Sequence, residues 1–141
     1  MREEPEELTE ARALLGTFEA EMGRPDSIGD LTSALSMLAY VRANESTEFG
    51  QVAANLATAY AKRAQEAVES LLAREPTLHW DTVDHWQTVL TTFLQYELAV
   101  PPEVAETRSK LIRRKMDREI KLLSPEERQR LIALLQGMND K

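Results

Sequence analysis

The 141-residue chain contains no cysteine, which excludes disulfides, thiol nucleophiles and any Cys-ligated zinc or iron–sulfur centre. Glycine is scarce as well. The five glycines stand apart at 16, 23, 29, 50 and 137, so no glycine-rich run is available to cradle a phosphate. The two histidines, His79 and His85, lack the Glu-x-x-His or His-Glu-x-x-His context of a metal site, and no serine and carboxylate context suggests a triad. No apolar run approaches the roughly 20 residues of a membrane span, and Met1–Glu10 is acidic where a signal peptide is basic and then apolar. These absences predict a soluble cytoplasmic chain that is not an enzyme, holds no metal or cofactor and does not contact a membrane.

Alternating strand patterns are missing too; what recurs is helical spacing. In Ser46–Arg74, Phe49, Val52, Leu56, Tyr60, Val68 and Leu71 are interleaved with eight alanines, while Gln51, Asn55, Thr58, Lys62, Glu66 and Glu69 share one narrow polar stripe. So wide an apolar arc needs neighbours on several sides. The fold class is therefore all-α: a compact single-domain bundle of about six helices spanning 1–141, built around a long Ala-rich central helix. At that length two outcomes are open: part of the helix projects, or Gly50 marks a frayed start.

The remaining helices follow from periodicity and punctuation. Leu8, Ala11, Leu15, Phe18 and Met22 mark a first helix from Pro5. Ser27 is expected to cap a second, buried through Ile28, Leu31, Leu35 and Leu38. Asp81 is expected to cap a fourth, with Val83, Trp86, Leu90, Phe93 and Leu94 inward. Pro101-Pro102 starts a fifth, with Ala105, Ser109, Ile112, Met116, Ile120 and Leu123 as its buried face. Ser124-Pro125-Glu126-Glu127 forms a capping box for a sixth that stops at Gly137, leaving a frayed tail at 138–141. No internal period indicates a helical solenoid.

The net charge of −7 is unevenly distributed. Residues 1–30 carry nine acids and three bases, and residues 101–141 seven acids and ten bases. On the fifth helix Lys110, Arg114, Arg118 and Lys121 lie within about 80° of one another, flanked by Arg113 and Lys115. That ridge is either a solvated face or a docking surface for an acidic protein segment. Nucleic acid is the weaker reading, because no aromatic residue interleaves the bases. Trp80 and Trp86 form a second candidate patch, since tryptophan is enriched in interface hot spots. Asp81 and His85, four residues apart, supply only two potential metal ligands, too few for a site. Arg63 and Glu97 lie within apolar arcs and are expected to pair or to extend to solvent. Together these features describe a non-catalytic protein–protein interaction or adaptor module. The alternative is a small regulator that binds nucleic acid or an acidic ligand through the fifth helix. The partner is another protein; a homodimer through the 3,4,3,4 seam of the first helix is the other form of association considered.

Overall fold

Ser46 begins the longest element, because its hydroxyl accepts the Phe49 N–H (3.4 Å) and so meets one of the donors a helix start leaves unpaired. In the computed structural model this helix, α3, runs Thr47–Arg74, roughly 42 Å at 1.5 Å per residue. The structure describes residues 3–75, 78–96, 98, 100–122 and 124–139; the side chains of residues 80, 118–122 and 138–139 lie outside that description. The other helices are α1 (Glu6–Ala20), α2 (Ser27–Asn44), α4 (Trp80–Gln95), α5 (Pro102–Leu122) and α6 (Pro125–Asn139), and no strand occurs among the described residues. The chain is thus an all-α bundle of six helices. No helix among the described residues is long and apolar enough to cross a membrane.

α3 packs against α1, α2, α4 and α5, which makes it central. Its buried positions are Gly50, Ala53, Ala54, Ala57, Ala61, Ala64 and Val68, with Phe49, Val52, Leu56 and Tyr60 only half-buried. The neighbours supply the bulk: Leu8, Leu15 and Phe18 from α1, Leu31, Leu35, Leu38 and Val41 from α2, Val89, Leu90 and Phe93 from α4, and Leu111 from α5 are fully buried. Phe18 and Phe93 meet edge to face at 6.0 Å between ring centroids.

Cross-helix contacts set the registers. Gln65, Glu69 and the carbonyls of Leu72 and Glu75 meet Thr107, Lys110 and Arg114 in ascending order, so α3 and α5 run parallel. Thr91 pairs with Arg108 and Asp84 with Lys115, so α4 and α5 run antiparallel. His85 meets the Met22 carbonyl and Tyr96 meets Ser36 and the Thr32 carbonyl, so α4 runs with α2. The first five helices therefore alternate up and down. Arg63 on α3 pairs with Glu19 near the end of α1, while α3 continues to Arg74. Its last turns, with α5 beside them, stand beyond the α1–α2 turn as a tip. Among the described residues close packing involves α1–α5 and not α6, and Leu134 on α6 is 66% exposed.

Several local expectations change. Ser27 lies inside α2, buried, and its hydroxyl donates to the Arg24 carbonyl (2.7 Å), tying the α1–α2 turn from within instead of capping. The cap of α4 is His79, whose Nδ1 accepts the Asp81 N–H (3.2 Å). The same atom lies 3.6 Å from Asp81 Oδ2, an attraction only for a protonated ring, which could no longer accept the cap bond; the capping geometry is the one the backbone uses. Val89 replaces Leu94 on the inner face of α4, Leu94 being 39% exposed. α6 runs through Gly137 to Asn139, and no described residue has positive φ, so Gly137 terminates nothing; of the predicted tail, residues 138 and 139 are helical, and 140 and 141 lie outside the described residues.

Gly50 is not frayed. It is buried in the first turn of α3, and a Cβ there would lie 3.5 Å from the Cα and carbonyl oxygen of Arg42 on α2. That is ordinary contact distance. Gly50→Ala is expected to raise stability by about 0.5–1 kcal/mol through helix propensity, whereas Gly50→Leu, whose branches enter the Arg42 backbone, is expected to lower it; urea midpoints of the two variants check both signs. Phe93→Ala is expected to cost about 3–5 kcal/mol. Combined with Phe18→Ala, the loss should fall short of the sum by about 0.5–1.5 kcal/mol, which the same unfolding experiment reads.

Candidate functional site

The polar seam between α3 and α5 starts from Thr107, whose side chain is buried (1% exposed) among apolar neighbours and must find hydrogen-bond partners there. Gln65 and Glu69, four residues apart on one face of α3, supply them. Gln65 Nε2 donates to Thr107 Oγ1 (3.1 Å), and the Thr107 hydroxyl donates onward to Glu69 Oε1 (2.7 Å). Lys110 Nζ, 54% exposed, donates to the same Glu69 oxygen at 2.8 Å. The hydrogen bond from Lys110, and after it that from Thr107, holds the Glu69 carboxyl below the usual carboxylate range, against the opposing effect of burial.

One turn further along α5, Arg114 reaches the end of α3. Its Nη1 donates to the Glu75 carbonyl (2.9 Å) and its Nη2 to the Leu72 carbonyl (3.4 Å). These belong to the carbonyls a helix C-terminus leaves without intrahelical donors, at the negative end of its dipole. On the α4 side, Lys115 pairs with Asp84 (2.8 Å) and Arg108 Nε donates to Thr91 (2.7 Å).

This arrangement rotates α5 from its expected orientation. Val104, Thr107 and Leu111 are buried, Ala105 and Ser109 are exposed, and Ile112 and Met116 are half-buried; the side chain of Ile120, and Leu123, lie outside the described residues. α5 sits between α3 and α4, and the face that satisfies both is the one bearing Val104, Thr107 and Leu111. Of the bases whose side chains are described, Lys110 and Arg114 consequently turn to α3 and Lys115 to α4 instead of standing opposite the core.

Lys110, Arg113 and Arg114 are nevertheless brought together. With Glu69, Leu72, Ala73 and Asp117 they line an open depression of about 380 Å³ at the tip. Arg113 is exposed and has no ion pair among the described residues. The side chains of Arg118 and Lys121 lie outside the described residues. The tryptophans are not part of this site: Trp86 is half-buried against the core and meets His85 edge to face at 5.4 Å, and the side chain of Trp80 lies outside the described residues. His85 turns inward, its Nε2 2.7 Å from the Met22 carbonyl, and its Nδ1 is buried without a partner. That hydrogen bond places the ring proton on Nε2. Among the described residues no three His, Asp or Glu side chains converge to hold a metal ion.

Arg63 is 47% exposed, pairs with Glu19 at 2.8 Å and stacks over the Tyr60 ring at 4.5 Å; Glu97 lies outside the described residues. The functional residues that sequence reasoning missed are Gln65, Thr107 and Glu69. Glu69 reads as part of the narrow polar stripe until α5 is placed beside it, and Gln65 and Thr107 belong to no motif of the sequence.

Compared with protein-family models, curated proteins and solved structures, the chain has no match in any of the three.

Because the Glu69 carboxyl is held below its unfolded value, its stabilisation is fully present above the ordinary glutamate range and is lost as pH falls through the lowered folded value. The stability difference between the wild type and Glu69→Gln should therefore be constant from neutral pH down to that range and shrink below it. Urea unfolding of both proteins between neutral and acid pH measures this.

Proposed function

We propose that the chain is a non-catalytic helical protein–protein interaction module that docks an acidic segment of another protein at the α3–α5 depression. The observation that carries this reading is the convergence of Lys110, Arg113 and Arg114 around a floor containing Leu72 and Ala73. A peptide carboxylate suits the Arg113 guanidinium, whose planar fork matches carboxylate geometry. An apolar side chain beside that carboxylate would cover Leu72 and Ala73.

The same lining argues against nucleic acid. A phosphodiester chain binds by neutralising several cations in succession, whereas here Lys110 and Arg114 already serve α3, and Glu69 and Asp117 face the same space. A short acidic peptide needs fewer cations and tolerates the mixture.

Fluorescence anisotropy with a labelled peptide of Asp, Glu and Leu, alongside a labelled DNA duplex, tests the proposal. The peptide is expected to bind with an affinity that falls as salt is added. Arg113→Glu should weaken it at least about tenfold, since like charges across an interface cost several kcal/mol. Absence of peptide binding, or equally tight binding of the duplex, overturns the reading.

A further inference from the structure

The seam and the depression share two residues, Glu69 and Lys110. Resting on the reading above, we propose that Glu69 is a built-in competitor for the docked segment: its carboxylate occupies Lys110 until the partner's carboxylate displaces it.

The geometry makes that exchange inexpensive. Lys110 stands at the rim, more than half exposed, with an ammonium that carries three donors on a flexible stem. It can turn from one carboxylate to another without movement of α5, whose attachment runs through buried Val104, Thr107 and Leu111. Glu69 is not left bare when Lys110 departs, because Thr107 continues to donate to the same oxygen, and Thr107 keeps its bond from Gln65. An exposed ion pair contributes little, so an incoming carboxylate replaces one modest interaction by another. Arg114 differs. It is tied to two carbonyls at the end of α3, where a neutral acceptor array replaces the single carboxylate, and it stays in place. The result is a site whose resting state leaves one surplus positive charge in its lining and which rejects single carboxylates that bring no apolar contact with Leu72 and Ala73.

The test is Glu69→Gln, which keeps an oxygen for Thr107 but removes the charge. Affinity for the acidic peptide is expected to rise about three- to fivefold, the range corresponding to an exposed pair. Asp117→Asn, which lines the depression and has no ion pair among the described residues, should raise it less. In a Lys110→Gln background the gain from Glu69→Gln should disappear. A gain that persists without Lys110, or one that Asp117→Asn matches, reduces Glu69 to a background charge and overturns the inference. So does an unchanged or lower affinity of Glu69→Gln. A second readout needs no variant: the Lys110 side-chain NMR signals of the wild type should shift on peptide addition, and unshifted signals at saturation overturn the proposal. Failure of the docking site itself is recognised separately, as a wild type that binds no peptide and an Arg113→Glu variant that behaves identically.

Discussion

Everything in this bundle depends on how closely four helices approach α3. The distance between packed helix axes is set by the side chains at the contact, and α3 presents Gly50, Ala53, Ala57, Ala61 and Ala64 there. It contributes space, and its neighbours contribute volume, through the leucines of α1 and α2 and the facing rings of Phe18 and Phe93. Close approach also brings polar side chains of modest length into reach across the helix faces. Gln65 reaches Thr107, and Arg63 reaches Glu19, so the small-residue line fixes both the core and the registers of the seam.

Helix direction then decides where the charged helix ends lie in space. α1 and α3 start at the same end, with Glu6 and Glu7 and with Glu48 in their first turns; α5 runs parallel to them but starts midway along α3, since its Thr107 lies beside Gln65. Carboxylates are favoured at those positive dipole ends. At the opposite end α3 finishes with Arg74 in its last turn and Arg114 on its final carbonyls. α2 and α4 start at that end and bring Asp30 and Asp81 in their first turns, so the cations of the tip stand among carboxylates.

The sequence made the scaffold legible and the site only in part. Leu8, Ala11, Leu15 and Phe18 recur at a spacing that admits one inward face, and all four are buried. Pro102 and the Ser124 cap set element starts by local chemistry; the Ser124 hydroxyl accepts the Glu127 N–H as the capping pattern predicts. α5 was misread because two faces compete on it. Ile112 and Met116 form the more apolar row, yet the row that packs includes Thr107, a residue whose burial is acceptable only because Glu69 and Gln65 lie opposite. That complementarity spans about forty positions and has no local signature. Arg114 shows the same gap. Its partners are main-chain carbonyls, which every residue has, so nothing in the sequence marks them. Ser27 and Asp81 were misassigned as caps for a different reason: both sit beside a helix start, and adjacent positions of capping residues are distinguished by geometry that composition does not carry.

The dual use of the α5 cations limits what the tip can do and suggests how it achieves selectivity. Substituting Lys110 or Arg114 removes a structural contact as well as a charge, so their loss would be felt in the attachment of α5 and in any docking. Arg113, between them in sequence, is exposed with no ion pair among the described residues and is the position where charge can change at least structural cost. A site built this way has little surplus positive charge, since Glu69 and Asp117 offset two of its three cations. Long-range attraction to polyanions is correspondingly weak. Discrimination must come from short-range geometry: a carboxylate within reach of Arg113, an apolar group over Leu72 and Ala73, and enough combined interaction to draw Lys110 from Glu69. A ligand that satisfies one of these conditions gains little, and one that satisfies all three gains them together, because the apolar contact holds the carboxylate where the lysine can transfer to it.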